Sequence, residues 1–198
     1  MYLLSLLVIF CLSICSYSQD TGEATPLPED DPKNFPCQNA TKIVELPGRH
    51  WVKKRTYSVT TKMGAPTCEY AQIQSKVKEN EYTLELGAKF GSKRVSNQQT
   101  LFLETTGKHP APNVLNFTRQ SADGRLGHPL LYSDYEKCSI VRITKKDSSE
   151  YRCDMLLLDE AAKNDPPTEC EKRFTTYCTG TPVEVYSSDC EATGAEAV

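Results

Sequence analysis

The chain has 198 residues and a formal net charge of −3, which is one domain's length. That charge balance gives no electrostatic pull on a polyanion, so nucleic acid is not an expected partner. The nine cysteines include no Cys-x-x-Cys pair, which argues for disulfides and against a zinc site or thioredoxin-like chemistry.

Residues 1–18 carry no charge, and Leu3 to Cys15 are almost wholly apolar. The run is shorter than the ~20 residues a membrane-crossing helix needs. Ser16 and Ser18 suit the small-residue positions ahead of a cleavage site. The segment reads as a secretory signal peptide with the mature chain starting at Gln19; a membrane anchor is the second reading. No other apolar run is long enough to span a bilayer.

Cleavage removes Cys11 and Cys15. The remaining Cys37, Cys68, Cys138, Cys153, Cys170, Cys178 and Cys190 are odd in number, so one thiol is unpaired or bonds between molecules. Sequons at Asn39-Ala40-Thr41 and Asn116-Phe117-Thr118 agree with secretion and mark Asn39 and Asn116 as glycosylation sites. Residues 19–48 form a leader. Its stretch 20–36, rich in proline and in acids such as Glu23, Glu29, Asp30 and Asp31, reads as flexible. The basic triplet Lys53-Lys54-Arg55 reads as a solvated strand face.

Period-two alternation predicts strands at Trp51–Thr61, Thr67–Val77, Tyr82–Phe90, Gln98–Thr105, Asn113–Arg119, His128–Ser133, Cys138–Lys145 and Tyr151–Leu158. In the third, Tyr82, Leu84, Leu86 and Ala88 share one face. Turn residues fill the gaps: Gly64-Ala65-Pro66, Lys78-Glu79-Asn80, His109-Pro110, Asp123-Gly124 and Asp147-Ser148-Ser149. Such a meander fits either an eight-stranded antiparallel barrel with room for one small ligand, or a two-sheet sandwich.

The one convincing helix follows Pro166-Pro167. Thr168 and Glu171 have capping-box spacing, and Cys170, Phe174 and Cys178 fall four apart on one face. Gly180 and Pro182 end it, and Val183 to Tyr186 reads as a last strand. The body of the domain is thus 49–190, with 191–198 a flexible tail.

Several of these residues together form a family pattern. Leu131-Tyr132-Ser133-Asp134 precedes Cys138, an acid stands at Asp154, and Cys170 opens a helix with Phe174. Val185-Tyr186-Ser187-Ser188-Asp189-Cys190 closes the pattern. Upstream, Thr56-Tyr57 is followed by Gly64 and Cys68. From about Trp51 to Cys190 the chain resembles the tick salivary lipocalins of the histamine-binding family. The resemblance implies an eight-stranded lipocalin barrel with a helix on its side, and disulfides Cys68–Cys190 and Cys138–Cys170. Cys153–Cys178 is then the preferred third bridge, because strand and helix are already stapled nearby, and Cys37 is left over.

The resemblance also implies a pocket. Burying an ammonium needs an inward carboxylate, with aromatic rings for cation–π contact. The family's amine motif is Cys-Asp on one strand and Glu-Leu-Trp on the next. Here Cys138 is followed by Ser139, and the second motif reads Asp154-Met155-Leu156. His128 stands where a pocket acid is expected, and Leu126 where an aromatic is expected. Thr60 replaces an acid and Met63 a tryptophan. Asp154, Glu104, Tyr57 and His128 are therefore the candidate ligand-binding residues, Glu104 on a loose alignment near a strand end, where an acid is more often a surface charge. If Met63, Leu126, Met155 and Leu156 face inward the cavity is more apolar and tilts toward a lipid, anchored by His128 or Arg119.

His50, His109 and His128 sit in no catalytic frame, so no enzyme activity, cofactor or metal is expected. The implied function is that of a secreted salivary lipocalin. It would sequester a small host inflammatory mediator, a biogenic amine such as histamine or serotonin, and so suppress host defence during blood feeding. The alternatives are a lipid mediator such as a leukotriene or fatty acid, and a host protein partner in complement or coagulation.

Overall fold

The computed structural model describes residues 26–119, 125–144 and 151–191. The expected signal peptide, the tail beyond Glu191 and the Asp123-Gly124 and Asp147-Ser148-Ser149 turns lie outside the described residues.

Eight strands pair in chain order: β1 (Arg49–Arg55), β2 (Thr67–Lys78), β3 (Glu81–Phe90), β4 (Lys93–Glu104), β5 (Val114–Thr118), β6 (Arg125–Ser133), β7 (Cys138–Arg142) and β8 (Cys153–Leu158). β1 pairs antiparallel with both β2 and β8. The sheet therefore closes into a barrel rather than a sandwich, and closure removes its edges. The first strand stops six residues short of its expected end, at Arg55, where the chain leaves the sheet for a loop.

The pleat divides the apolar residues into two cores. Inside the barrel, Tyr82, Leu84, Leu101, Leu103, Leu115, Leu130 and Val141 pack together. Outside it, Trp51, Leu131, Ile140, Met155 and Leu157 form a second core beneath the C-terminal helix. Trp51 anchors this outer layer: its indole Nε1 donates to Asp159 at 3.2 Å, and its ring lies against Tyr70 and Tyr186.

Three short helices complete the fold: α1 (Ala40–Val44), α2 (Asp159–Ala162) and α3 (Thr168–Tyr177). Asn39 caps α1, its Oδ1 accepting from Lys42 N–H. Ile43 and Val44 pack onto the inner core and so close the end of the barrel at which β1 begins. α3 lays Cys170 and Phe174 on the outer core. Burying a Phe side chain contributes about 1.5–3 kcal/mol. The expected capping box is absent, because the helix already begins at Thr168 and no side chain caps it. Glu171 instead pairs with Lys54 at 2.6 Å. Cys178 lies just past the helix rather than on its face, its N–H donating to Phe174 O.

Two surface expectations fail for related reasons. In the basic triplet only Lys53 is partly exposed. Lys54 is buried against Glu171 and the Phe174 ring, and Arg55 is 2% exposed inside the barrel. The leader, from residue 26 onward, is fastened to the wall. A 3-10 turn at Pro32–Cys37 is held by Gln38, whose Nε2 donates to Pro28 O and Leu131 O. Glu29 accepts from Arg142 of β7 at 2.6 Å, and Asn34 accepts from Arg173 and Tyr177 of α3. Polar anchors in this stretch do what apolar runs usually do.

The three disulfides are Cys68–Cys190, Cys138–Cys170 and Cys153–Cys178, and Cys37 is a partly buried free thiol. The last bridges tie β7 and β8 to α3 and the segment after it. Gly180 is required there: φ is +105°, and a Cβ would lie 2.4 Å from Thr56 O. The tail then adds a two-residue strand, β9 (Val183–Glu184), to Lys54 and Arg55. On that edge β2 covers only Arg49 to Trp51. Val185 O accepts from Cys68 N–H, so the tail fills the gap between the end of β1 and the start of β2.

Candidate functional site

The barrel holds a partly open cavity of about 120 Å³, close to the size of an apolar cavity that takes one benzene ring. Its walls are mostly aliphatic: Ile43 and Val44 from α1, Val52, Ile73, Leu84, Leu86, Leu101, Leu115, Phe117, Val141, Ile143 and Leu156. Polar groups enter at the other end, where β1 finishes and β2 and β8 start. The loop after β1 folds over this end, and its Tyr57 and Val59 pack on the inner core.

Asp154 lines the cavity and is 2% exposed. Its Oδ2 accepts from Arg119 Nη2 at 2.8 Å, and the same nitrogen donates to Tyr57 Oη at 2.9 Å. Arg119 thus bridges the Tyr57 hydroxyl and the Asp154 carboxylate. Burial, then the Asp154 charge, pushes the Tyr57 phenol far above its usual range, so it stays neutral. Asp154 Oδ1 is buried without a hydrogen-bond partner among the described residues. Beside this trio, Arg55 pairs with Glu69 and stands 5.3 Å from the Tyr57 ring. Two arginines and two acids thus meet at one end of an apolar cavity, and their charges cancel.

His128 faces inward by register with Leu115 but stands behind Phe117, 4.8 Å from its ring, and is wholly buried. Its Nδ1 accepts from Thr144 N–H, which puts the proton of the neutral ring on Nε2. Burial first, then Arg119, holds its pKa down to about 3. His50, on the cavity wall, is held down to about 4 by burial.

Both histidines are neutral when folded and titrate near 6.5 when unfolded. The unfolded chain then binds more protons, so stability is full above pH 6.5 and falls as pH drops toward the folded values. Between pH 7.5 and 5.5 the loss is about 1.4 kcal/mol per histidine, hence about 3 kcal/mol together. Urea unfolding at the two pH values checks this. Each single His→Gln variant should remove half of the pH dependence, and a flat wild-type profile would refute it.

The candidate residues divide. Asp154 and Tyr57 are in contact through Arg119, with His128 close by. Glu104 is not with them. It sits on the outward side of β4, exposed, and accepts from Asn116 Nδ2 at 2.7 Å. The apolar substitutions divide as well: Leu156 lines the cavity, Met155 lies under α3, and Met63 is 54% exposed on the loop. Glu69, Arg55 and His50 were missed. One signal pointed to Glu69: in a strand whose cysteine bridges outward, the next residue points inward. By that rule Cys68 places Glu69 in the barrel, and Cys153 places Asp154 there.

A closed eight-stranded barrel with one closing helix, a C-terminal helix on its wall and a ligand-sized interior defines a lipocalin. The chain belongs to the tick histamine binding protein family, which it matches over residues 28–192. No curated protein sequence matches it significantly. Among solved structures it is similar to AM182 in complex with serotonin, at 18% identity, TM-score 0.57, and coverage of 76% of this chain and 91% of that one. Japanin from Rhipicephalus appendiculatus, bound to cholesterol, gives 12% identity, TM-score 0.54, and coverage of 72% and 94%. Lobster apocrustacyanin A1 gives 12% identity, TM-score 0.54, and coverage of 80% and 87%. Among the described residues, no helix is long and apolar enough to cross a membrane, and no cluster of His, Cys, Asp or Glu could hold a metal.

Proposed function

We propose that this chain is a secreted salivary protein that sequesters one small host mediator, a biogenic amine such as histamine or serotonin, and so blunts host defence at the feeding site. It acts by binding, not catalysis. The observation that carries the reading is Asp154: a buried carboxylate at the polar end of a ring-sized apolar cavity, with one oxygen unpartnered. An ammonium or ring N–H supplies the donor that this oxygen lacks. The cavity volume favours a single ring system over an extended chain. The serotonin held by AM182 supports the amine, and the disulfides support an oxidising compartment.

A lipid mediator is the second reading. Arg119 favours it, because its guanidinium cancels the Asp154 charge and could receive an anionic head. Calorimetric titration of histamine and serotonin separates the two. Saturable binding at one site is expected, weakened about tenfold or more by Asp154→Asn through loss of a charge-assisted hydrogen bond. Absence of heat with both amines, together with saturable binding of a fatty acid, would replace the amine by the lipid.

A further inference from the structure

An amine-binding carboxylate would ordinarily face its cavity with its charge uncompensated, yet Asp154 already holds a cation. We propose that Arg119 is a built-in competitor that sets this barrel's amine specificity: it holds Asp154 until a ligand ammonium displaces it toward solvent. The proposal rests on the amine reading of the cavity.

Three features point this way. Arg119 lines the cavity and binds the one carboxylate oxygen that Asp154 has engaged, at 2.8 Å. The two partners are unequally seated: the Arg119 side chain is 20% exposed, that of Asp154 3%. Arg119 also lies one residue beyond β5, so its side chain can turn outward without breaking a ladder hydrogen bond of that strand. When it leaves, the incoming ammonium takes its place on Asp154 and restores the charge balance with Arg55 and Glu69. The displacing ligand must therefore supply two things, a cation for Asp154 and a ring for the aliphatic wall. A small amine without a ring offers only the first and fails to displace Arg119.

Histamine, serotonin and propylamine titrated into wild type and Arg119→Gln test this. The variant is expected to bind all three amines more tightly, by about tenfold or more, as when one charged hydrogen-bond competitor is removed. Its preference for ringed amines over propylamine should shrink. Unchanged or weaker amine affinity in Arg119→Gln, with Asp154→Asn still lowering the affinity of the wild type, would overturn the competitor role and leave the amine reading standing. No amine binding to either protein would overturn both. Should Arg119→Gln fail to fold, the side-chain Nε–H resonance of Arg119 in ¹⁵N-arginine-labelled wild type gives the answer. It should shift as histamine saturates the protein, and an unmoved resonance would overturn the proposal.

Discussion

Replacing Cys68 and Cys190 together by alanine is expected to destabilise the protein by about 5 kcal/mol, the chain-entropy value for a crosslink spanning 122 residues. The Cys153–Cys178 pair spans 25 residues and should cost about 3.5 kcal/mol when removed in the same way. The difference follows from where the bridges sit. The first ties the start of β2 to the tail that fills the gap beside β1, and nothing else covalent holds that join. The second reinforces a region that Cys138–Cys170 already secures. Urea unfolding of both double variants checks the order. Equal losses, or a larger loss for the short bridge, would show that the long bridge does not control the denatured chain as argued.

Glu29→Ala is expected to cost roughly 3–5 kcal/mol, because it strands a buried charge. Arg142 lies on the outer wall of β7, nearly buried, with its Nη2 donating to Glu29 at 2.6 Å and its guanidinium 4.3 Å from the Tyr151 ring. Its Nε and Nη1 have no hydrogen-bond partner among the described residues, so Glu29 is the neutralising contact. The double variant Glu29→Ala, Arg142→Met removes both charges and should recover much of the loss. Denaturation of the single and double variants measures this, and hydrogen exchange at residues 27–38 reports whether the leader detaches. A single-variant loss under about 1 kcal/mol would place this pair among weak surface ion pairs.

The strands were legible because their alternation is regular. Tyr82, Leu84 and Ala88 are buried inside the barrel as their period requires. Closure itself was not legible in the alternation, which suits a sandwich equally well; the choice came from the order of residues between Tyr57 and Cys190. The candidate site was half readable. Asp154 and Tyr57 came from the family pattern, whereas Glu104 followed from a loose alignment at a strand end and proved to face out. Arg55 was misread because three basic residues in a row suggest solvent. In a strand, successive side chains leave by opposite faces, and here both faces are covered: Lys54 meets α3 and Arg55 meets Glu69. The described part of the 20–36 stretch was misread for the opposite reason. Its composition lacks an apolar run, but Glu29 and Asn34, with Gln38 just beyond, dock through hydrogen bonds, which composition does not reveal.

The tail beside β1 has a consequence for how the molecule is made. A chain emerges from the ribosome beginning with its first residues, and domains generally begin to fold in that order. Here the last residues of β1 have an edge that β2 leaves open and residues 183–185 cover, and the cysteine at the start of β2 waits for Cys190. Synthesis of all eight barrel strands therefore still yields an unsealed sheet, with Lys54 and Arg55 lacking their partners in β9. The gap beside β1 is filled only after residues 183–185 have been translated, and the join is locked when Cys190 is oxidised. Until then Cys68 is a thiol open to wrong partners, Cys37 among them.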